Sequence, residues 1–275
     1  EQLGKLIGGN VGNLIVVIGK IAASLTGAGI GVGVAVKYKE TPFVTISAAI
    51  AGLIGAFASK ILQGSVIVDG TIILNGPGEP LGAFIASFVG IICGRWIQGK
   101  TKLDIILVPI FTIMIGGAVG LLVGPPISNF MLALGELINW AVTKQPIIMG
   151  ILVSVLMGMI LTLPISSAAL AIILNLSGLA GGAATVGCCA NMVGFAVASF
   201  KENGISGLIS QGLGTSMLQV PNIMKKPIIW LPAIIASAIL GPISTVVLHM
   251  TNNASGAGMG TAGLVGQLMT WQDMS

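Results

Sequence analysis

Long apolar stretches separated by short polar segments dominate the chain. Near-continuous apolar runs extend over Leu81–Trp96, Asp104–Gly124, Pro146–Leu163 and Pro227–His249. Each is close to the ~20 mostly apolar residues that a helix needs to cross the hydrocarbon core of a bilayer. We therefore predict that these stretches are membrane-spanning helices. We also predict that the Pro125-Pro126 pair ends the second of them, since proline breaks a helix interior.

Other apolar stretches are interrupted by glycine, proline and polar residues. Glycines divide Ile7–Val36, and Asn175 with the run GLAGGAATVG divides Ala168–Phe200, so we predict that neither is one regular helix. NGPGEP at 75–80 and the Gly/Ser-rich Ile205–Gln219 are also irregular. Irregular backbone survives at membrane depth only inside protein or beside a water-lined cavity, as at the substrate sites of secondary transporters. The alternative is that the glycines only let helices pack closely.

Composition turns this pattern into a fold class. Of the 275 residues, 55% are apolar and 7% are charged, and the mean hydropathy is +1.04. Soluble domains carry roughly 25% charged residues, so this chain has too few to cover a water-facing surface. The strand-period alternation that marks a β-barrel is absent from the sequence. We predict an all-α integral membrane protein with roughly eight to ten passes or half-passes.

The few charged residues indicate orientation rather than a ligand. Loop Lys and Arg residues mark the cytoplasmic side of membrane proteins. The strongest candidate for that side is the cluster Arg95, Lys100 and Lys102, with Lys201 and Lys225-Lys226 as further ones. The net charge of +4 comes without a basic stripe interleaved with aromatic residues. We therefore predict no nucleic-acid partner.

The sequence offers few groups that could carry out chemistry. Its single His, three Cys and eight carboxylates do not form a Ser/His/Asp set, an acid–base pair of carboxylates or a metal cluster by spacing. Cys93, Cys188 and Cys189 lie in apolar surroundings typical of buried packing residues. We predict no catalytic residue, no metal and no cofactor. Because the sequence begins at Glu1 without Met or a signal peptide, we also expect N-terminal residues to precede it.

Several stretches, in order, resemble the membrane subunit (enzyme IIC, EIIC) of bacterial phosphoenolpyruvate-dependent sugar phosphotransferase systems. The first, at 78–100, is GEPLGAFIASFVGIICGRWIQGK, similar to the GFLGAIIAGFLAGY helix of fructose-type members. The second, at 108–140, is VPIFTIMIGGAVGLLVGPPISNFMLALGELINW, similar to a Pro-led helix ending in GPPI. LTLPISSAALAIIL and GLGTSMLQVPNIMKKPIIWLP stand where those members carry GGPVNKAAYAF and ITEGAIPF. The tail GAGMGTAGLVGQ resembles the perfringolysin O regulator-like branch.

This resemblance implies an architecture and a site. It implies about eight spanning helices plus two re-entrant hairpins in a single domain over 1–275, with a first helical half at 1–145 and a second at 146–275. It also implies a homodimer in which each protomer holds a sugar at the membrane midplane. The two hairpins then supply the solute contacts, at Ser166, Ser167, Thr215, Ser216 and Gln219.

Three further polar residues are candidates for solute contact. Asn10 and Asn13 are three positions apart and so share a helix face, where they either line a cavity or hydrogen-bond a neighbouring helix. Glu79, in the NGPGEP turn, is either an ordinary loop carboxylate or part of a loop folded into the site.

Two departures from the fructose-type motifs bear on the solute. Thr215 is followed by Ser216 and not by the Glu that is thought to bind sugar hydroxyls in those members, which leaves Gln219 as the nearest polar substitute. PISS at 164–167 replaces PVNK, so a Lys is missing too. A carboxylate accepts hydrogen bonds roughly twice as strongly as a neutral group, so classical sugar binding loses its strongest acceptor here.

The sequence thus predicts a multi-pass protein of the bacterial plasma membrane that moves a sugar or sugar-like polar solute as an EIIC permease. Its partners would be the solute, the lipid bilayer, a second copy of the chain, and separate IIA and IIB proteins that supply the phosphate. One alternative is a diverged EIIC-like transporter that works without phosphorylation or on a non-sugar solute. The other is an EIIC-derived membrane sensor or regulator.

Overall fold

A computed structural model of the chain describes residues 2–68, 70–74 and 76–275. The chain forms two compact units, Glu1–Phe130 and Met131–Ser275. The division falls inside a long helix, some residues before the boundary at 145 that we predicted between the two halves. Each unit is described by itself.

The first unit is helical apart from one short hairpin. Its helices are α1 (Gln2–Ile7), α2 (Gly9–Ser24), α3 (Thr26–Lys37), α4 (Pro42–Ala56), α5 (Ala58–Leu62), α6 (Pro80–Ile97) and the first part of α7 (Asp104–Val142). The hairpin pairs β1 (Ile67–Val68) with β2 (Thr71–Ile72) in antiparallel register. The sequence pattern did not predict this hairpin. Asp69 lies outside the described residues.

The glycine-rich N-terminal stretch is a broken helix, as predicted. Helices α2 and α3 meet at Leu25 with a bend of 51°. Within α3, Gly27 and Gly31 face α4, where an added Cβ would collide with Ala56 or with the Ala48 carbonyl, whereas Gly29 faces open space. The two readings of these glycines, a break and close helix packing, are therefore both correct, each for different residues.

The loop before α6 is non-helical, as its glycines and prolines predicted. Asn75 lies outside the described residues, but the backbone N–H of Glu79 donates a hydrogen bond to the Ala56 carbonyl at 2.8 Å. Helix α6 then begins at Pro80, a favoured first helical position because proline has no N–H to leave unpaired there. The predicted span Leu81–Trp96 lies within this helix.

Helix α7 corrects one prediction. It continues through Pro125 and Pro126 to Val142, and does not end at Gly124. Each proline removes one N–H donor, but its fixed φ is compatible with a helix, and membrane helices tolerate proline where neighbouring groups compensate. The hydroxyl of Ser59 donates a hydrogen bond to the Gly124 carbonyl at 3.0 Å, directly before the two prolines.

The second unit contains regular helices joined by irregular turns. The helices are α8 (Pro146–Thr162), α9 (Ser167–Ile173), α10 (Gly178–Ala198), α11 (Phe200–Ile209), α12 (Val220–Lys225), α13 (Leu231–Pro242), α14 (Ala254–Ala257) and α15 (Val265–Met274). Wider π turns cover Ser210–Gly214 and Ile243–Val247, and tight 3-10 turns cover Ser216–Gln219, Pro227–Trp230 and Ala262–Leu264.

The stretch from Ala168 to Phe200 is interrupted at Asn175, as predicted, where φ is 48°. The run GLAGGAATVG, however, lies inside regular α10, which corrects the prediction that it breaks the helix. A Cβ on Gly187 would collide with the Ser154 carbonyl of α8, and one on Gly182 with the Met250 carbonyl. These glycines are needed for close backbone contacts and not for a bend.

Among the described residues, four helical segments are long and apolar enough to cross a membrane: Pro80–Ile97, Asp104–Val142, Gly178–Ala198 and Pro227–Val247. The bent pair α2–α3 gives a fifth if it is counted as one span. The predicted helical class is confirmed. The predicted eight spans and two re-entrant hairpins are finer than this count and stay predictions.

Candidate functional site

A polar pocket lies in the second unit, where α10 ends, around the first turn of α11 and beside α12. Its volume is about 520 Å³, within the usual range of roughly 300–1,000 Å³ for small-molecule sites. Its apolar lining consists of Phe195, Ala198 and Ile229. Its polar lining consists of Ser199, Glu202, Asn203, Gln219, Asn222, Lys225 and Lys226.

Irregular backbone folds two distant polar segments onto this pocket. Helix α10 ends at Ser199, and Gly204 then adopts φ 60° and ψ −155°, a conformation that a residue without a Cβ reaches easily. After the π turn, Thr215 is extended, and its hydroxyl accepts a hydrogen bond from the Met217 backbone N–H at 3.1 Å. This cap starts the 3-10 turn that ends at Gln219.

A chain of side-chain hydrogen bonds, made mostly by amides, joins three lining residues of the pocket through Gln211, which does not itself line it. Asn222 Nδ2 donates to Gln219 Oε1 at 2.9 Å, and Gln219 Nε2 donates to Gln211 Oε1 at 2.8 Å. Gln211 Nε2 in turn donates to Ser199 Oγ at 2.7 Å. Gln211 and Gln219 are 3% and 6% exposed, so burial as well as hydrogen bonding holds these side chains in place. We name these four residues the amide wall.

A second set of lining residues, which we name the charged rim, carries the charges of the pocket. Lys225 is the last residue of α12 and Lys226 follows it, while Glu202 and Asn203 come from the first turn of α11. All four side chains are exposed at the pocket mouth. Within the part of the chain that the structure describes, neither lysine forms an ion pair. The pocket thus combines a neutral amide wall with a rim of two cations and one carboxylate.

A second polar network, deeper in the unit, is centred on Asn191. Its Oδ1 accepts from Trp230 Nε1 at 3.0 Å, and its Nδ2 donates to the Gly187 carbonyl and to Ser237 Oγ, both at 3.1 Å. Asn191 is fully buried. A fully satisfied polar network of this kind fixes one packing arrangement. It joins α8, α10 and α13 and leaves little capacity for a solute.

Of the hairpin residues, Gln219 lines the polar pocket, and the other four take part in internal contacts. Ser216 is fully buried and its hydroxyl lies 2.9 Å from that of Thr162. Ser167 Oγ donates to the Gly258 carbonyl at 2.7 Å. Ser166 caps α9 by accepting from the Ala169 N–H at 3.3 Å, and Thr215 caps the 3-10 turn. The structure brings Gln219 together with the pocket and ties Ser167 to α14.

The three other candidates belong to the first unit. Asn10 and Asn13 are exposed on α2, and Glu79 precedes α6 in the loop held to Ala56. Contacts of these side chains with a solute stay predictions. We therefore centre the candidate site on the polar pocket of the second unit.

The whole chain was compared with models of known protein families. The model of the family described as "Phosphotransferase system, EIIC" matches residues 1–275. The chain belongs to the EIIC family. A search of curated proteins and a search of solved structures each return no match. The predicted family is thereby confirmed, whereas the perfringolysin O regulator-like branch stays a prediction.

Family membership and the apolar helices together make this EIIC chain a membrane protein and a component of phosphotransferase transport. Sequence reasoning missed most of the residues that line its pocket. Ser199 and Gln211 lie outside the quoted stretches, and they meet across the kink at Gly204. Asn222 lies within one of these stretches, three positions after Gln219, but no family motif marked it. One usable signal was present: Gln211, Gln219 and Asn222 are amides in an otherwise apolar or Gly/Ser-rich region.

The EIIC chain has a second, more apolar pocket of about 440 Å³ in the same unit. Cys189, Met250 and Trp271 line it, together with Gln267, whose Nε2 lies 3.6 Å from Cys189 Sγ. Within the described residues, no three His, Cys, Asp or Glu side chains come together as metal ligands. The polar pocket is thus the better candidate for a polar solute.

Proposed function

We propose that this EIIC chain is the permease component of a phosphotransferase system and binds a sugar-like polar solute in the polar pocket, with Gln219 as a direct contact. The family match over residues 1–275 carries the assignment to sugar transport. The placement of the solute rests on the pocket, because it combines a suitable volume with side chains that can hydrogen-bond hydroxyl groups.

The amide wall suits a polyhydroxy solute. A primary amide has two N–H donors and an oxygen with two lone pairs. Gln219 uses one N–H toward Gln211 and one lone pair toward Asn222. One donor and one acceptor of the same group are left, which match the paired donor and acceptor capacity of a sugar hydroxyl. Phe195 and Ile229 add the apolar surface that the carbon-bound face of a sugar ring prefers.

The position of the pocket along the chain supports access from one membrane surface. Its lining residues come from the last turn of the spanning helix α10, from the first turn of the segment Pro227–Val247 and from the stretch between them. Lys201, Lys225 and Lys226 lie in this stretch, and loop lysines favour the cytoplasmic side. We propose that the pocket opens to the cytoplasm, where soluble proteins could reach a bound solute.

The remaining expectations extend this proposal. We propose a homodimer with about eight spans and two re-entrant hairpins per protomer in the bacterial plasma membrane. Support comes from the family and from the irregular segments on either side of α9 and between α11 and α12. Ser166, Ser167, Thr215 and Ser216 would position the hairpins. Asn10, Asn13 and Glu79 remain separate candidates for solute contact within the first unit. Separate IIA and IIB proteins would supply the phosphoryl group.

A thermal-shift screen of the purified, detergent-solubilised protein tests the proposal. Hexoses, polyols, sugar acids and unrelated polar metabolites are compared at equal concentration. A ligand at 100 times its dissociation constant adds about 2.7 kcal/mol to the free energy of unfolding, so a hexose or polyol that binds raises the unfolding midpoint clearly. If stabilisation is confined to non-carbohydrates, the assignment to sugar transport is wrong.

A further inference from the structure

The charged rim gives the polar pocket a second recognition element. We infer that Lys225 and Lys226 form an anion subsite that binds the phosphate monoester of a phosphorylated polyhydroxy product, while the amide wall binds its hydroxyl groups. This inference rests on the proposed function, since it concerns the same pocket and adds the chemical class of a second ligand.

The first support is the arrangement of charge around the mouth. Lys225 and Lys226 line the pocket from the end of α12, and Glu202 lines it from α11. The described part of the chain provides neither lysine with an ion-pair partner. Two cations against one carboxylate leave an excess positive charge at the opening. Lysine ammonium groups bind phosphate as point charges with three donors each.

The second support is the neutrality of the wall behind this rim. Gln219 and Asn222 are amides, so among the described residues Glu202 is the single lining carboxylate that opposes an anion, against two lysines. Side-chain N–H groups that remain free on these amides can donate to phosphate oxygens. A neutral sugar needs only the amide wall, whereas the lysine pair matches a ligand that carries both hydroxyl groups and an anionic group.

A phosphate could also belong to a lipid, because the pocket lies next to the ends of two spanning segments. Lysines at helix ends attract anionic headgroups there. The pocket geometry favours the soluble ester: the lysines share a single cavity with Gln219 and Ser199, which are placed to bind hydroxyls. A phosphodiester headgroup would bind to the lysines at the surface and would not need the amides of the pocket.

The experiment measures dissociation constants by calorimetry in neutral detergent. The neutral ligands are sorbitol, glucose and fructose. The anionic ligands are sorbitol 6-phosphate, glucose 6-phosphate, fructose 1-phosphate and inorganic phosphate. Lys225→Gln and Lys226→Gln each remove one pocket cation. Lys201→Gln is the matched control, since Lys201 is an exposed lysine near the pocket that does not line it. Glu202→Gln removes the rim carboxylate. Vesicles with and without phosphatidylglycerol test the lipid.

We expect Lys225→Gln and Lys226→Gln each to weaken sugar phosphate binding about tenfold, as the loss of one hydrogen bond to a charged group predicts. Lys201→Gln should change it less than twofold, and Glu202→Gln should strengthen it. Binding of the neutral sugars should be unchanged in Lys201→Gln. Lys225→Gln and Lys226→Gln should weaken it less than they weaken binding of the sugar phosphates. Added salt should weaken the phosphate ester and spare the neutral sugar.

Four results would overturn the inference. If Lys201→Gln acts as strongly as Lys225→Gln, the lysines provide only a general surface potential. If phosphatidylglycerol vesicles bind through these lysines while the sugar phosphates do not bind, the rim is a lipid contact. If neutral sugars bind and their phosphates do not, the anion subsite is refuted while the proposed function stands. Failure of both classes to bind would overturn the proposed function as well.

Discussion

Replacement of Gln219 is the most direct perturbation of the candidate site. Its side-chain amide is 6% exposed and bridges Gln211 at 2.8 Å and Asn222 at 2.9 Å. Gln219→Ala removes the free donor and the free acceptor that we assign to the solute. A neutral hydrogen bond contributes about 1 kcal/mol. The loss of one or two such bonds should therefore weaken solute binding about fivefold to thirtyfold.

The assay is a titration of the solute identified by the thermal-shift screen, with the unfolding midpoint of the ligand-free protein measured in parallel. Gln267→Ala is the matched control, since it makes the same change at the other pocket of the unit. Its dissociation constant should equal that of the wild type. If Gln219→Ala also binds the solute with wild-type affinity, the placement of the solute on the amide wall is wrong.

Gln219→Glu sharpens the test because it keeps the side-chain shape. The introduced carboxylate can still accept from Asn222, but it faces Gln211 Oε1 unless the Gln211 amide turns over. After that rotation, Gln211 donates to the carboxylate and accepts from the Ser199 hydroxyl. Hydrogen bonds to a carboxylate are roughly twice as strong as neutral ones. Neutral sugars should bind more tightly and sugar phosphates more weakly, and the opposite order would refute this account of the wall.

Three further predictions concern packing around the site. Asn191→Ala leaves the half-buried Trp230 indole N–H without its acceptor and should lower the free energy of unfolding by about 1–3 kcal/mol, measured by thermal or denaturant unfolding. Gly187→Ala places a Cβ against the carbonyl of the facing helix and should cost about 1–3 kcal/mol in the same assay. Ser167→Ala removes the hydroxyl that donates to Gly258 and should cost about 1–2 kcal/mol; weaker solute binding at unchanged stability would instead indicate direct contact.

Control variants make the same residue changes at positions without such contacts. They separate the loss of a contact from the effect of changing the residue type. Asn13→Ala alters an exposed asparagine of α2, and Ser206→Ala alters an exposed serine of α11. Gly29→Ala adds a methyl group where nothing lies within 4 Å. None should lower the free energy of unfolding by more than about 0.5 kcal/mol, and Gly29→Ala should raise it, because alanine favours a helix interior more than glycine does. A control as destabilising as its partner would show that the assigned contact is not the cause.

The all-α membrane class could be predicted from the sequence because it depends on the apolar character of each stretch by itself. A helix that crosses lipid must be apolar along its own length, so α6 and the segment Pro227–Val247 could be predicted nearly to their ends. The breaks at Leu25 and Asn175 follow from glycine-rich or polar sequence nearby. The family was also evident, because it depends on the order of motifs and not on their contacts.

Only the tertiary structure showed whether an individual glycine or proline interrupts a helix. Gly187 looked like part of a helix break, but it lies in regular α10 and lets α8 approach. Pro125 looked like a helix end, but α7 continues through it. Both residues permit either outcome locally, and the neighbouring helices decide which one occurs. Local propensity alone therefore gave the wrong answer at both positions.

The candidate site shows the same division. The sequence marked Gln219 as the nearest polar substitute for the carboxylate of a resembling motif. It could not show that Gln211 and Ser199 join it, since these hydrogen bonds link residues 8 and 12 positions apart and depend on the turns between them, including the kink at Gly204. Asn222, three positions after Gln219, is a local partner. The sequence fixes how many polar groups a membrane protein has. Only the folded backbone decides which of them satisfy one another and which remain available to a solute.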